Sequence, residues 1–90
     1  MNDSPIRILL VEDNPADVEI VRKMVHSQTN QQYHLTDVDT LKEGLARLRD
    51  NNFDVVLLDL HLPDSEGLET VEQVQQAAPE VAIIVGTGMD

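Results

Sequence analysis

The sequence predicts an α/β domain with a doubly wound parallel sheet and the element order βαβαβαβ. Four short runs rich in Val, Leu and Ile lie along the 90 residues, and amphipathic segments with helical spacing separate them. Alternation of this kind is typical of a parallel sheet with helices on both faces. There is one Phe and one Tyr, so aliphatic side chains must form most of the core. The length fits a single domain spanning residues 1–90.

The first strand and helix are predicted by a change of hydrophobic period near residue 12. The run Ile6–Val11 is short and almost unbroken, as expected of a strand buried on both faces. Asn14 and Pro15 favour a helix start, with Asn14 as N-cap and Pro15 as the first helical residue. Valine then recurs at helical spacing, so the helix is expected to pack one face inward and to end near residues 27–30.

The second strand and helix are predicted over residues 33–52. Tyr33–Val38 alternates only partly and predicts a weaker strand. Thr40 and Glu43 stand at the spacing of a capping box, in which side chains and backbone amides at a helix N-terminus bond reciprocally. A stripe of leucines follows, so this helix is expected to end near residues 50–52.

The remaining elements are predicted by apolar runs and turn residues. Residues 53–58 form the most apolar run, broken only by Asp54, and predict a central strand. Residues 63–67 contain Pro, Asp, Ser and Gly and predict a loop. A third helix is expected to begin near Leu68 and to stop at Pro79, and residues 81–85 predict the fourth strand.

Composition excludes several classes of function. The net charge is −11, with 17 acidic side chains against 6 Lys and Arg, which argues against direct binding to nucleic acid. The absence of cysteine excludes disulfides and thiolate metal sites. The first apolar run contains Arg7 and ends at Glu12, so it predicts neither a signal peptide nor a membrane span. The expected location is the cytoplasm, without a membrane partner.

Polar residues stand at the ends of three predicted strands: Glu12 and Asp13, Asp59, and Thr87. Because the carboxyl ends of parallel strands meet at one edge of a sheet, these residues are expected to lie together. Asp13 alone would be explained by a favourable charge at a helix N-terminus. Three carboxylates in contact would repel one another, and at least one pKa would rise unless a cation compensates.

The composition of this cluster favours Mg²⁺ and phosphoryl chemistry. Asp59 directly follows the apolar residues 55–58, and a carboxylate held in such surroundings indicates a functional site. Mg²⁺ prefers oxygen ligands, takes one or two carboxylates and retains waters that phosphoryl oxygens can replace. Aspartate can also act as a nucleophile that forms an aspartyl phosphate. Thr87 would place a hydroxyl near the same position.

Three motifs, taken in order, resemble those of the receiver domain of bacterial two-component response regulators. They are residues 9–14 (LLVEDN), residues 56–63 (VLLDLHLP) with Gly67, and residues 84–88 (IVGTG). None is specific alone, but the resemblance covers the whole chain with the expected spacing. It implies a flavodoxin-like fold, in which the strand order is 2-1-3-4-5.

The resemblance also implies a role for each site residue. Asp59 would be the phosphoacceptor, taking a phosphoryl group from a phosphohistidine on a sensor histidine kinase or a histidine phosphotransfer protein. Glu12 and Asp13, with Asp59 and the backbone carbonyl of His61, would hold Mg²⁺. Thr87 would be the hydroxyl that binds the phosphoryl group and switches an interaction surface. The chain would then not be an enzyme, apart from its own phosphorylation and dephosphorylation.

The chain departs from the family's pattern at its C-terminal end. A complete receiver continues with a further helix, strand and helix, whereas this sequence ends at Asp90, after the fourth strand. The strand-end lysine that pairs with the phosphoryl group has no match, because Lys23 and Lys42 both lie on predicted helices. We therefore expect weak phosphorylation of this chain. We also expect the strand at residues 81–85 to be an apolar sheet edge through which copies could associate.

Two other functions compete with the phosphoacceptor interpretation. A degenerate or truncated receiver could serve only as an interaction or dimerisation scaffold; the missing lysine favours this, and the intact acidic residues oppose it. A Mg²⁺-dependent hydrolase with an aspartyl-phosphate intermediate would need a general acid two residues beyond Asp59. His61 stands there, so the hydrolase ranks last.

Overall fold

The computed structural model describes residues 5–27 and 32–86, which form one α/β unit. Along the chain the elements are β1 (Ile6–Val11), α1 (Pro15–Ser27), β2 (Tyr33–Val38), α2 (Leu41–Asp50), β3 (Val55–Asp59), β4 (His61–Leu62), β5 (Ser65–Glu66), α3 (Leu68–Ala77) and β6 (Ala82–Gly86). Within these two ranges, none of the helices is long and apolar enough to span a membrane.

The main sheet has four parallel strands in the order β2-β1-β3-β6. This order confirms the predicted doubly wound α/β fold and agrees with the flavodoxin-like order for the strands present. β1 pairs with β2 along its whole length, from Ile6 opposite Tyr33 to Val11 opposite Val38. Leu58 lies opposite Val11 on the other side of β1. The carboxyl ends of β1, β2 and β3 therefore meet at one edge of the sheet.

The predicted N-cap of α1 is confirmed, and so is the Thr40 side of the capping box predicted for α2. The side-chain Oδ1 of Asn14 accepts the N–H of Ala16 at 2.9 Å. Thr40 Oγ1 accepts the N–H of Glu43 at 3.1 Å. Each cap provides an acceptor for a backbone amide that has no partner within the first turn of the helix. Local side-chain chemistry thus determines where these two helices begin.

The central strand begins two residues later than predicted, at Val55 instead of residue 53. The cause is Asp54, whose Oδ2 accepts the N–H of Arg7 at 2.8 Å. The Arg7 amide of β1 therefore bonds to a side-chain carboxylate where a regular strand would offer a backbone carbonyl. Regular pairing with β1 starts at the next residue, Val55. Phe53 still contributes to the interior, where its ring is buried.

The prediction that residues 63–67 form only a loop is wrong in part. β4 and β5 form a short antiparallel hairpin, with His61 opposite Glu66 and Leu62 opposite Ser65. Gly67 closes the base of this hairpin, since its N–H donates to the carbonyl of Leu60 at 2.9 Å. Its φ of 74° lies in the region that glycine adopts without steric cost. The turn residues expected from sequence are present, but they fold back into paired strands.

The buried core lies between the sheet and the helices α2 and α3. Its most deeply buried side chains come from β1, β3 and α3: Leu9, Val11, Val56, Leu58 and Val74. α1 packs on the opposite face, and none of the side chains of this fully described helix is buried. A groove of about 320 Å³ remains between α1 and the sheet, and its lining includes Leu10, Met24, Leu57 and Ile84. The two faces of the sheet are therefore packed very differently.

Candidate functional site

All three predicted acidic residues are positioned by the ends of β1 and β3. Asp59 is the last residue of β3, and its side chain is 7 % exposed. Glu12 and Asp13 directly follow β1, and the N–H of Glu12 still donates to the carbonyl of Val38 at the end of β2, at 2.9 Å. Because the two strands are parallel and adjacent, they deliver all three carboxylates to the same sheet edge.

The three carboxylates come together closely enough to share a cation. One oxygen from each of Glu12, Asp13 and Asp59 lies within 4.8 Å of the other two. Asp59 is buried, Glu12 is half-buried and Asp13 is exposed, so the cluster opens from the interior to solvent. A set of carboxylate oxygens with one side open is the kind of site that suits Mg²⁺, which keeps several waters.

The electrostatics of Glu12 support this fit. Burial raises the pKa of Glu12 to about 7 from its ordinary value of 4.5, and the negative charge of Asp59 adds to the increase. The N–H of Asn14, which donates to Glu12 Oε2 at 3.1 Å, acts in the opposite direction. The Glu12 carboxyl group therefore takes up a proton more readily than an exposed glutamate does. A divalent cation would offset both the cost of burying its charge and the repulsion from Asp59.

The backbone immediately after Asp59 turns back toward the carboxylate of Asp59. The N–H of His61 donates to Asp59 Oδ1 at 3.1 Å, which fixes the orientation of this carboxyl group. The imidazole of His61 is directed to the rim, where Nδ1 lies 3.4 Å from Glu66 Oε2. The backbone of His61 is thus beside the acidic cluster, whereas its side chain is exposed on β4.

Sequence analysis missed three side-chain hydrogen bonds that support the hairpin. Asp64, in the turn between β4 and β5, accepts the N–H of Leu41 on Oδ1 at 2.8 Å and the N–H of Lys42 on Oδ2 at 2.9 Å. The hydroxyls of Ser65 and the fully buried Thr70 lie 2.6 Å apart. An Asp after Pro is a common turn residue, so nothing in the local pattern indicates a partner 23 residues earlier.

The contacts of Asp64 also affect its ionisation. Slight burial raises the pKa of Asp64, but the hydrogen bonds donated by the N–H groups of Leu41 and Lys42 lower it by more. The pKa of Asp64 therefore lies below its ordinary value of 3.8. The N-terminus of α2 carries a partial positive charge that favours an ionised carboxylate at this position. Asp64 is consequently a charged link between α2 and the hairpin.

Thr87, the predicted switch hydroxyl, lies outside the described residues, and its role stays a prediction. The strand that leads to it is described up to Gly86, which pairs with Asp59 in the ladder between β3 and β6. Of the predicted site residues, the structure thus brings together Glu12, Asp13 and Asp59, with the backbone of His61 beside them.

Comparisons with known proteins identify the family. The family model of the response regulator receiver domain matches residues 8–90. The transcriptional regulatory protein TrcR of Mycobacterium tuberculosis is 36 % identical over 77 residues, a match covering 82 % of this chain and 28 % of TrcR. The cell cycle response regulator CtrA of Brucella ovis is 29 % identical over 84 residues, covering 93 % of this chain and 35 % of CtrA.

A solved structure shows the same fold. A CheY-like response regulator receiver domain protein from Methanospirillum hungatei matches with a TM-score of 0.83 at 31 % identity, over 97 % of this chain and 67 % of that protein. The chain therefore spans about two thirds of this solved neighbour and roughly a third or less of TrcR and CtrA. Since the family match runs from residue 8 to residue 90, this chain belongs to the response regulator receiver domain family of two-component systems.

Proposed function

We propose that this chain is a phosphoacceptor, and that Asp59 receives a phosphoryl group from a phosphohistidine on a sensor histidine kinase or a histidine phosphotransfer protein. The observation that carries the proposal is the position of Asp59. Its buried carboxylate ends the central strand and lies within 4.8 Å of carboxylate oxygens from Glu12 and Asp13. Carboxylates held close together repel one another, which costs stability. Such clusters therefore indicate a functional site more than a structural one.

In the transfer, a carboxylate oxygen of Asp59 forms a bond to phosphorus as the phosphorus–nitrogen bond of the phosphohistidine breaks. The imidazole leaves with the electron pair of that bond and is protonated by solvent. Asp59 is suited to be the nucleophile because the N–H of His61 orients its carboxyl group at 3.1 Å. Positioning contributes much of the rate in phosphoryl transfer, where the protein supplies little covalent chemistry of its own.

The residues present fit a bound Mg²⁺. Glu12, Asp13 and Asp59, together with the backbone carbonyl of His61, would hold it. When bound, the ion offsets the negative charge of these carboxylates and of the incoming phosphoryl oxygens. The raised pKa of Glu12 agrees with the assignment: burial is its main cause and the charge of Asp59 adds to it, and a cation would offset the cost of an ionised carboxylate in that position.

The proposed output is a change of surface, and the chain acts as a signalling module in the cytoplasm with no catalysis beyond its own phosphorylation and dephosphorylation. A phosphoryl group on Asp59 would add negative charge and acceptor oxygens at the sheet edge. Thr87, next in sequence to Gly86, would donate its hydroxyl to those oxygens. The two states would then present different surfaces to a partner.

A second proposal concerns self-association through β6. This strand is the last in the described sheet order, and its Ile84 and Val85 are 55 % and 42 % exposed. An exposed apolar edge strand can pair with a strand of another copy. Sedimentation velocity at increasing concentration tests this proposal, and a monomer at every concentration would contradict it.

The phosphoacceptor proposal is tested by mass spectrometry after incubation with acetyl phosphate and Mg²⁺. The samples are this chain, its Asp59→Asn variant, and an Asp50→Asn control that removes an exposed carboxylate at the far end of α2. One phosphoryl group is expected on the wild-type and Asp50→Asn chains, and none on Asp59→Asn. A wild-type chain that stays unlabelled, or an Asp59→Asn variant labelled as strongly as wild type, would contradict the proposal.

A further inference from the structure

A side chain at the tip of the hairpin that follows Asp59 bonds to the N-terminus of α2. Asp64, at the tip of the hairpin, accepts one N–H on each carboxylate oxygen, from Leu41 at 2.8 Å and from Lys42 at 2.9 Å. These two amides belong to the first turn of α2, where backbone donors have no acceptor within the helix. Thr40 satisfies the next donor, the N–H of Glu43. The start of α2 is therefore capped from two directions, and one cap comes from the hairpin.

α2 is a firm anchor because it packs closely on β1. Leu41 and Leu48 are buried in the core. A Cβ atom placed on Gly44 would lie 3.1 Å from Val11 Cγ2, a separation that only glycine accommodates comfortably. Val11 is the last residue of β1 and directly precedes Glu12. The helix that receives Asp64 thus also contacts the end of the strand that carries two residues of the acidic cluster.

The other end of the hairpin is fixed to α3. The N–H of Gly67 donates to the carbonyl of Leu60 at 2.9 Å, which closes the hairpin at its base. The hydroxyl of Ser65 lies 2.6 Å from that of Thr70, whose side chain is fully buried in the first turn of α3. The short hairpin is consequently fixed at its base and on β5, and Asp64 links its tip to α2.

From this arrangement we infer that Asp64 is a positioning residue for the metal and phosphoryl site. Asp64 bonds the hairpin to α2, and α2 packs on β1. The backbone of His61, on the hairpin, and the carboxylates of Glu12 and Asp13, after β1, are therefore held in position through the same helix. The inference rests on the proposed function, because it concerns how well the same site holds Mg²⁺. Asp64 lies outside the cluster and acts through the backbone of residues 61–66.

Loss of this link is expected to weaken Mg²⁺ binding without removing any of the proposed ligands. Residues that do not contact the metal but orient its ligands typically change metal affinity by about 10- to 100-fold when they are removed. We expect the low end of that range for Asp64→Ala, about tenfold, since β5 and the base of the hairpin remain attached. Asp64→Asn keeps one side-chain oxygen as acceptor for one of the two amides, so an intermediate loss is expected.

The test is a Mg²⁺ titration of the full chain followed by ¹H–¹⁵N NMR, using the amide signals of His61 and Gly67. Wild type, Asp64→Asn, Asp64→Ala and the charge-matched control Asp50→Asn are compared, and urea unfolding without metal is measured for each. The expected order of Mg²⁺ affinity is wild type equal to Asp50→Asn, then Asp64→Asn, then Asp64→Ala. If Asp64→Ala does not fold, Asp64→Asn against Asp50→Asn decides the question.

The outcomes separate this inference from the proposed function. Equal Mg²⁺ affinity in wild type and in both Asp64 variants, with only the free energy of unfolding lowered, would show that Asp64 is merely structural and would overturn the inference alone. Failure of the wild type itself to bind Mg²⁺ would overturn the proposed function and, with it, the inference. A graded loss of affinity in the Asp64 variants, with the control unchanged, supports both.

Discussion

The two faces of the sheet differ in how they are covered, and the site lies where they meet. On the α2 and α3 face, the side chains of Leu9, Val56 and Val74 are almost completely buried. On the α1 face, a groove of about 320 Å³ reaches from Met24 to Asp59 and Glu12. The first face packs against α2 and α3, and α2 also bonds to the hairpin. The second face leaves a groove whose lining includes Glu12 and Asp59 of the acidic cluster.

The largest expected effect comes from shortening one side chain on each face of the sheet and comparing the two losses of stability. Leu9→Ala is expected to lower the free energy of unfolding by about 3 kcal/mol, because a fully buried leucine leaves a cavity that its neighbours cannot fill. Met24→Ala, where the side chain is 58 % exposed, is expected to cost less than about 1 kcal/mol, because little apolar area leaves water there. Urea unfolding of both variants measures the difference. Equal losses would contradict the division between the faces.

Much of this architecture could be predicted from local patterns. Ile6–Val11 and Tyr33–Val38 have the bounds that hydrophobic runs indicated, and Thr40 forms the cap that its spacing to Glu43 predicted. Parallel topology then placed the acidic residues at one edge, because strand direction alone decides where strand ends meet. Sequence reasoning succeeded where a feature depends on neighbours within a turn or on the direction of a strand.

The features that were missed depend on contacts between distant residues. Two-residue strands such as β4 and β5 are too short to show a period of two. Asp64 resembles an ordinary turn residue, and its partners Leu41 and Lys42 become visible only when the hairpin is placed beside α2. Asp54 shifts the start of β3 in the same way, by bonding to Arg7, 47 residues earlier. Such contacts are set by packing rather than by local pattern.

A second prediction concerns the acidic cluster at the boundary of the two faces. Because the pKa of Glu12 is raised in the folded chain, its contribution to stability is present below its ordinary value of 4.5 and is lost as the pH rises through about 7. Without divalent cations, Glu12→Gln is therefore expected to be more stable than wild type at pH 8. The gain is expected to be about 1 kcal/mol, reduced by solvent screening because Glu12 is only half-buried.

Urea unfolding in EDTA at pH 5 and pH 8 measures this effect. The control is Glu80→Gln, which removes an exposed carboxylate just before β6, at the opposite end of the sheet. Saturating Mg²⁺ is expected to restore the stability of the wild type more than that of Glu12→Gln. A Glu12→Gln variant that loses stability between pH 5 and pH 8 as steeply as wild type would show that folding does not raise the pKa of Glu12.

The smallest expected effect belongs to the polar contact that joins α1 to β2. Arg22 Nη2 lies 2.6 Å from Asp37 Oδ1, and Arg22 Nε lies 3.6 Å from Glu19 Oε2. The Arg22 and Asp37 side chains are 35 % and 40 % exposed, so Asp37→Asn is expected to lower the free energy of unfolding by only about 0.5 kcal/mol at low salt. The neighbouring exposed Asp39→Asn serves as control.

High salt distinguishes an electrostatic attachment of α1 from one made by packing. At about 1 M salt the screening length falls to about 3 Å, and the difference between Asp37→Asn and wild type is expected to disappear. A loss that persists in high salt would mean that Asp37 holds α1 through geometry and packing, and the two faces would then be less different than their burial suggests. A loss that vanishes would show that the contact between Arg22 and Asp37 acts through charge alone. The ion pair would then add little to the attachment of α1, in keeping with the exposure of both side chains and with the absence of buried side chains on this fully described helix.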